Sequence, residues 1–450
     1  MVEAIANGID DKLIDGLSFK MQPGASYVTD RRSVTYHPQG SNSYQAGHGS
    51  KLIRILLTGD GWLDPSTLRV QFNVNNNDNT GLRELYVLGG PWCFFRRLRI
   101  LAAGQLVEDI DSYNRIHEMM SCLASPESKS NQASEAFGYN WDSDLSNNVY
   151  RSNRAVFSGN ALSVLFKPLS GLLNQNKMIP LRYCPITIEL ELVDSATEPV
   201  MTGGPLPAAP GLGPINVDPV DVSTDWSIDM VQVKADVCTL DNALDNEYAQ
   251  HLLSGKSLPL SYNTFSSQMQ ATNQNEKILV NVSRAITRLK SVFVTFYKDG
   301  VTDVNRKLWN YFHSPMFPEN RGASLTHVSD GEFEFQLQVG NKMFPEYPIR
   351  SHNEAFYQLS KALGVQASAL HNFDISSREY RSTKLILATD CEKVLEAGFT
   401  GLNTRAGDLM TIRFDHKSGA MANRKADRVH IVLHSDQILE IRDSGVQIFD

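Results

Sequence analysis

The sequence predicts a mainly β protein: two tandem eight-stranded jelly-roll β-sandwiches, a double jelly roll, with a few short helices and long loops. Three observations carry this expectation. Apolar and polar residues alternate with period two along most of the chain, helical stripes are few and short, and one strand–glycine–helix unit is written twice. At 450 residues the chain exceeds one ordinary core, so two or three domains follow. A composition of 42% hydrophobic and 20% charged residues is globular and excludes wholesale disorder.

The strands come first. In "LRVQFNV", Leu68, Val70, Phe72 and Val74 face one way and Arg69, Gln71 and Asn73 the other. "PITIELEL" alternates through Ile186, Ile188, Leu190 and Leu192, and "FEFQLQV" through Phe333, Phe335, Leu337 and Val339. Each reads as a strand with one buried and one wet face, the habit of antiparallel sheets. "WSIDMVQVKADV" alternates through Trp226, Ile228 and Met230, then changes phase to Val231, Val233, Ala235 and Val237, which predicts a bulge or a strand serving two surfaces. "ADRVHIVLHSDQILEIRDSGVQIFD" supplies a last strand or two.

Helices are predicted in three places. Residues 112–123 put Tyr113, Ile116, Met120 and Leu123 on one face. Asp241 can cap "NALDNEYAQHLLSG", with Leu244, Tyr248 and Leu252 on a stripe and Gly255 as the stop. Ser351 and Glu354 form a capping box closed by Gly364. Residues 121–152, rich in Ser and Asn, and 198–219, with six prolines and four glycines, read as long loops, the second standing out from a sandwich.

The repeat organises these elements. "FFRRLRILAAGQLVEDIDSYNRIHEMM" and "FEFQLQVGNKMFPEYPIRSHNEAFYQLSKALG" place Gly104 and Gly340 236 apart, and Ser112 and Ser351 239 apart. "ASYVTD" and "LSYNTF" align Ser26 with Ser261, "KLIRILL" and "KILVNVS" align Lys51 with Lys277, and "LSGLLNQNKMIPL" and "FTGLNTRAGDLMTI" align Gly171 with Gly401. Five matches in one order imply duplication of a β-rich unit of about 200 residues, room for eight strands in two packed sheets. The same pattern also admits one large irregular sandwich or two unlike β domains.

Charge and chemistry narrow the function. The net charge of -8 argues against a chain-wide basic surface for nucleic acid, so any such contact is local. Cys93, Cys122, Cys184, Cys238 and Cys391 form no CxxC pair and fit reduced thiols. The N-terminus has no charged start with an apolar run behind it, and no window approaches the roughly 18 apolar residues of a membrane span, so a soluble protein made in a cytosol-like compartment is expected. "LLSGKSLP" has Gln250 where a phosphate loop needs glycine, and reads as a helix stop followed by a strand. No G-x-S-x-G elbow and no His-x-His pair occurs.

His430 and His434 in "HIVLH" share a strand face and fit packing better than ligation. Glu108, Asp109 and Asp111 could resemble a cation site but read as turn and helix-entry acids. The compact basic runs are Arg31–Arg32 and Arg96, Arg97, Arg99; the second alternates in a strand, so its arginines are expected to split between the two faces, where they could meet phosphate or lipid on an inner surface but by default are solvated or ion-paired. The sequon Asn281-Val282-Ser283 falls inside a strand. Trp92, Phe94, Phe95 and Trp226 are expected in sandwich interiors or subunit contacts. No catalytic constellation emerges, and a long chain of sandwiches without a reactive group is expected to work through its surfaces.

"DRRSVTYHPQGSNSY", "LTGDGWLDPSTLRVQF", "GGPWCFFRRLRILAAGQLVEDIDSYNRIHEMM", "PLSGLLNQNKMIPLRYCPITIELEL" and "LDNEYAQHLLSGKSLPLSYNTFSSQM" resemble the double jelly-roll major capsid proteins of Polinton-like viruses, adintoviruses and virophages, over residues 29 to 270. The remainder matches by layout more than by letters. The resemblance implies two jelly rolls standing side by side, a first over 26–240 and a second over 241–450, with 1–25 as an N-terminal arm. It further implies a homotrimer with a six-sandwich outline, a pseudo-hexameric capsomer of an icosahedral double-stranded DNA virus. Implied partners are neighbouring capsomers and penton, minor or cement proteins, with nucleic acid or an inner membrane touched only locally. The expected place is the virion, after synthesis in the host cytoplasm, with no enzyme activity, cofactor or metal. The competing expectation is a carbohydrate-binding β-sandwich protein, which needs an aromatic platform or an acid pair; a cupin-like metalloenzyme comes third.

Overall fold

A computed structural model of the chain describes residues 27–46, 51–87, 89–137, 155–200, 204–206, 215–217, 222–273, 275–297, 312, 314–315, 333–364, 373, 375, 380–381, 384–393, 400–405, 409–416 and 425–449. In the first half, β1 (Val28–Tyr36), β2 (Ser43–Tyr44), β3 (Leu52–Leu57), β4 (Trp62–Asn76), β5 (Leu85–Tyr86), β6 (Phe95–Ala102) and β7 (Gln105–Asp111) lead to helices α1 (Tyr113–Cys122) and α2 (Pro126–Glu135). There follow β8 (Ala155–Val156), β9 (Ala161–Phe166), β10 (Ile179–Pro180), β11 (Ile186–Leu192), β12 (Gly204–Leu206), β13 (Ile215–Val217) and β14 (Trp226–Leu240). Helix α3 (Asn242–Leu253) leads into β15 (Leu258–Ala271), β16 (Lys277–Val282), β17 (Leu289–Tyr297), β18 (Phe333–Val339) and β19 (Lys342–Ile349). The chain ends with α4 (His352–Ala362), β20 (Ile386–Asp390), β21 (Met410–His416), β22 (Arg428–Arg442) and β23 (Gly445–Phe449).

Both halves obey one strand order. The first sandwich has a sheet β1-β14-β4, continued by β9 and β10 along β4, and a sheet β3-β11-β6-β7. The second has β15-β22-β17-β20 and β16-β21-β18-β19. Counting the principal strands of each half from one to eight gives 1-8-3-6 and 2-7-4-5 both times. That is the antiparallel, Greek-key order of a jelly roll, so the fold is two tandem jelly rolls with short helices between strands. The sheets of each sandwich meet through aromatics: Phe72 on β4 lies 5.4 Å edge-on from Phe95 on β6, and Phe296 on β17 lies 4.8 Å from Phe414 on β21.

Period-two patterning explains which face goes inward. Leu68, Val70, Phe72 and Val74 of β4, Ile186, Ile188, Leu190 and Leu192 of β11, and Phe333, Phe335 and Leu337 of β18 are fully buried. Gly104 (φ +84) and Gly340 (φ +57) supply the left-handed turn between β6 and β7 and between β18 and β19, the centre of the duplicated unit. The Ser351 hydroxyl accepts from the Glu354 N–H at the start of α4, and the Asp241 carboxylate accepts from the Ala243 N–H at the start of α3.

Several expectations need correction. The Ser/Asn-rich stretch after α1 holds a helix, α2, capped by the Ser125 hydroxyl and opened by Pro126; with only Lys129 buried it has no apolar stripe to announce it. Within the proline-rich segment the described residues form a short hairpin, β12–β13. The arginines of β6 do not split between faces. Glu191 pairs with Arg97 but Leu192 with Phe95, so a one-residue bulge at Arg96 turns Arg96, Arg97 and Arg99 all outward. "KLIRILL" and "KILVNVS" were set one residue out of step: the inward Ile53, Ile55 and Leu57 match Ile278, Val280 and Val282, an offset of 278 − 53 = 225. Gly171 and Gly401 are not in equivalent surroundings either, since Gly171 abuts Asn263 of the other sandwich and Gly401 abuts Arg288 and Leu289 of its own.

The phase change in β14 is a bulge. Asp229 pairs with Asn73 but Gln232 with Gln71, and Met230 absorbs the extra residue at φ +51 with its side chain turned to solvent. A left-handed conformation costs an ordinary L-residue about 1 kcal/mol and a β-branched one more. Met230→Gly is therefore expected to leave stability unchanged or raise it by up to about 1 kcal/mol, and Met230→Val to lower it by about 1 kcal/mol, read from chemical-denaturation midpoints.

Candidate assembly interface

The two sandwiches meet along a seam where β7, the outer strand of one sheet in the first, lies against β15, the outer strand of a sheet in the second. The Tyr262 hydroxyl on β15 shares its one hydrogen between Gln437 Oε1 at 2.7 Å and, at the longer 3.4 Å, the Val107 carbonyl of β7, and Ser267 donates to the Asp111 carbonyl at 2.9 Å. Lys177 reaches the Pro259 carbonyl at 3.0 Å. At one flank the Arg115 guanidinium of α1 sits 4.6 Å over the Tyr297 ring of β17. At the other, Trp62 of β4 packs 4.8 Å from Tyr248 of α3 and directs its indole N–H to Asp245.

Glu108 lies at the centre of this seam. It sits within β7, not at a helix entry, and is fully buried. Its carboxylate accepts from the Ser170 hydroxyl, the Gly171 N–H at 3.0 Å, the Leu172 N–H at 3.3 Å and the Thr264 hydroxyl of β15. One carboxylate thus holds a turn of the first sandwich and a strand of the second. Burial pushes its pKa from 4.5 up to about 7, and the converging donors draw it back only in part. Gly171 is required here for space: a Cβ would stand 1.4 Å from the Asn263 carbonyl oxygen.

The outer face of the sheet β3-β11-β6-β7 is an ion-pair ladder. Register places Arg54, Glu189, Arg99 and Asp109 in one row across the four strands. Arg54 Nε bonds Glu189 at 2.8 Å, Arg99 lies 3.4 Å from the other Glu189 oxygen, and Arg97 grips Asp109 bidentately at 2.7 and 2.6 Å. Arg96 pairs with Asp194, whose pKa the neighbouring Arg96 and Lys51 hold below its usual range. Arg31 is shared by Asp236 at 2.8 Å and Asp64 at 3.0 Å. Each of these arginines lies against a carboxylate, so the two signs of charge interleave across the sheet face.

The remaining singled-out residues pack. Trp92 stacks 3.9 Å from His117 and donates to Glu118 at 2.8 Å; Phe94 meets Trp226 edge-on at 4.7 Å, and Phe95 lies in the same interior. His430 is buried near Tyr297, and His434 stacks on Phe265 at 4.9 Å; burial lowers both to about 3, so both are neutral. Gly255 (φ +82) ends α3, and Lys256 and Ser257 lead into β15. Asn281 lies on β16 and accepts from Thr411. The five cysteines are buried and unbridged. Among the described residues no group of three or more His, Cys, Asp or Glu could hold a metal ion, and no helix is long and apolar enough to cross a membrane. No local sequence pattern announces the seam, although the match around Gly171 includes one of its residues.

Two outcomes test the seam. Gly171→Ala is expected to cost about 3 kcal/mol, seen as a lower thermal midpoint, because the clash is with backbone that cannot turn aside. A carboxyl whose folded pKa is raised binds its proton more tightly in the folded state, so stability falls as pH rises from 4.5 to about 7, by up to about 3 kcal/mol from this group. Glu108→Gln is expected to abolish that slope, while costing about 1–2 kcal/mol at pH 5 by turning an amide NH2 toward an N–H donor, measured by denaturant unfolding at pH 5 and pH 8.

No protein-family model matches the chain, and no curated protein matches its sequence. Its fold is similar to solved structures at low identity. The VP54 protein of PBCV-1, fitted into a reconstruction of the virophage Sputnik, aligns at a TM-score of 0.59 and 12% identity over 96% of this chain and 100% of that one. A chain of the Sputnik virophage structure aligns at 0.60 and 10% identity, covering 96% and 90%. The Faustovirus major capsid protein aligns at 0.56 and 9% identity, covering 95% and 94%. What these chains share with this one is the pair of jelly rolls along nearly the whole length.

Proposed function

We propose that this chain is a major capsid protein, the homotrimeric building block whose six sandwiches form a pseudo-hexameric capsomer of an icosahedral double-stranded DNA virus. The observation that carries the reading is the duplication itself: two sandwiches of one strand order, joined in one chain through a buried seam. Three such chains present six similar walls, so a threefold assembly can tile a shell by a sixfold outline. Fold similarity to the Faustovirus major capsid protein over nearly both full lengths supports this. The resemblance of the sequence motifs supports relatives among Polinton-like viruses, adintoviruses and virophages.

In this reading the units are residues 26–240 and 241–450, and the expected arm, 1–25, lies outside the described residues. The work is done by surfaces. Trimers meet one another and penton, minor or cement proteins through many modest contacts, whose avidity across the shell supplies stability. The protein then acts without catalysis or cofactor, in the virion, after synthesis in the host cytoplasm. The purified protein is expected to run in gel filtration with multi-angle light scattering as a species of three times 50.1 kDa, and to show hexagonal outlines by electron microscopy. A monomer that binds glycans would replace this reading by the carbohydrate-binding one.

A further inference from the structure

The seam within the chain uses one edge of each sandwich and, among the described residues, leaves the matching edge of each exposed. β7, the strand after the Gly104 turn, meets β15, the first strand of the second unit. Their counterparts are β19, after the Gly340 turn, and β1, the first strand of the first unit. Among the described residues each of these is an outer strand of its sheet, β1 beside β14 and β19 beside β18. Both are open to solvent: β1 is exposed from Val28 through Ser33, and Tyr347 on β19 is 78% exposed.

One residue of the seam has an exposed counterpart in the sequence repeat, placed just before β1. Tyr262, which bonds the Val107 carbonyl across the seam, is 4% exposed; Tyr27, its match in "ASYVTD" and "LSYNTF", is 60% exposed. β19 also differs from β7 in an informative way. Leu337 pairs with Phe344 and Phe335 with Ile349, so Pro345–Pro348 bulge out opposite a single residue of β18 and present Glu346 and Tyr347. In the first unit the element that crosses to β15 is the turn at Gly171, whereas Gly401 turns to its own β17. The β19 bulge supplies the projection that the second unit otherwise lacks. Each open edge carries an exposed acid and an exposed base, Asp30 and Arg32 on β1, Glu346 and Lys342 on β19.

Resting on the trimer reading above, we propose that β1 of one copy docks against β19 of a second copy, with Tyr27 taking at β19 the place that Tyr262 holds at β7. The occupant of each open edge is therefore another copy of this chain. Because β1 and β19 are different surfaces, the contact is head-to-tail, and it ends without loose edges only when the ring closes.

The test uses the full chain. In Tyr27→Cys/Met343→Cys, at the β19 position that matches Val107, a short bismaleimide is expected to give a ladder of two and three covalently joined chains on denaturing gels, while either single variant gives none, since the native cysteines are buried. Tyr27→Asp and Tyr347→Asp are each expected to raise the trimer dissociation constant at least tenfold, with the circular dichroism and thermal midpoint of the dissociated chain unchanged. If the wild type is trimeric but the double-cysteine protein gives no ladder and the aspartate variants stay trimeric, the docking inference is overturned and the capsomer reading stands. If the wild type shows no trimer at any concentration tested, the capsomer reading falls and takes this inference with it.

Discussion

A sandwich ends in open sheet edges, rows of backbone donors and acceptors that must be covered, blunted or paired. In this chain that constraint organises everything else. Two of the edges cover each other where β7 meets β15, and the contact is made specific by groups that water cannot reach: Tyr262 on a backbone carbonyl, and Glu108 on a turn of one sandwich and a hydroxyl of the other. A hydrophobic seam alone could slide. A buried carboxylate with converging donors fixes position, because any displacement leaves a costly unpaired group. Gly171 sets the distance of approach, since the turn and the Asn263 backbone touch where any side chain would stand.

Charge is used in two contrasting ways. On the outer face of β3-β11-β6-β7, carboxylates and guanidinium groups alternate across the strands and neutralise one another in partial contact with water, where each pair contributes little and salt screens it. Inside the seam a single acid has no cation beside it among its named partners and relies on neutral donors. The first arrangement keeps a sheet face soluble and electrically quiet. The second makes the relation between the sandwiches depend on one proton.

Much of the architecture was legible in the sequence because strands with one wet face write their burial as strict alternation. Leu68 to Val74, Ile186 to Leu192 and Phe333 to Val339 declared themselves, as did the bulge at Met230 and the glycine turns at Gly104 and Gly340. Letter matching finds the duplication but sets β3 against β16 one residue out, since "KLIRILL" is apolar on both faces and hides its phase; burial of Ile53, Ile55 and Leu57 fixes it. The bulge that turns Arg96, Arg97 and Arg99 to one side depends on pairing with β11, which no local pattern records. Helix α2 lacked an apolar stripe. Glu108 was hidden for a related reason: its burial is created by residues far along the chain, and next to Asp109 and Asp111 it looked like one more surface acid.

The segment 241–257, built around helix α3, joins β14 to β15, and that short tether changes the assembly of any ring built from these sandwiches. Six separate sandwiches would have to find one another through five encounters, each paid for in lost translational freedom, before the sixth junction closes the ring. With every second junction formed inside a chain, where the effective concentration is set by the tether and not by the solution, only two encounters remain. The population of closed rings then varies with the third power of free subunit concentration instead of the sixth, so assembly begins at far greater dilution and is far less sensitive to fluctuations in supply.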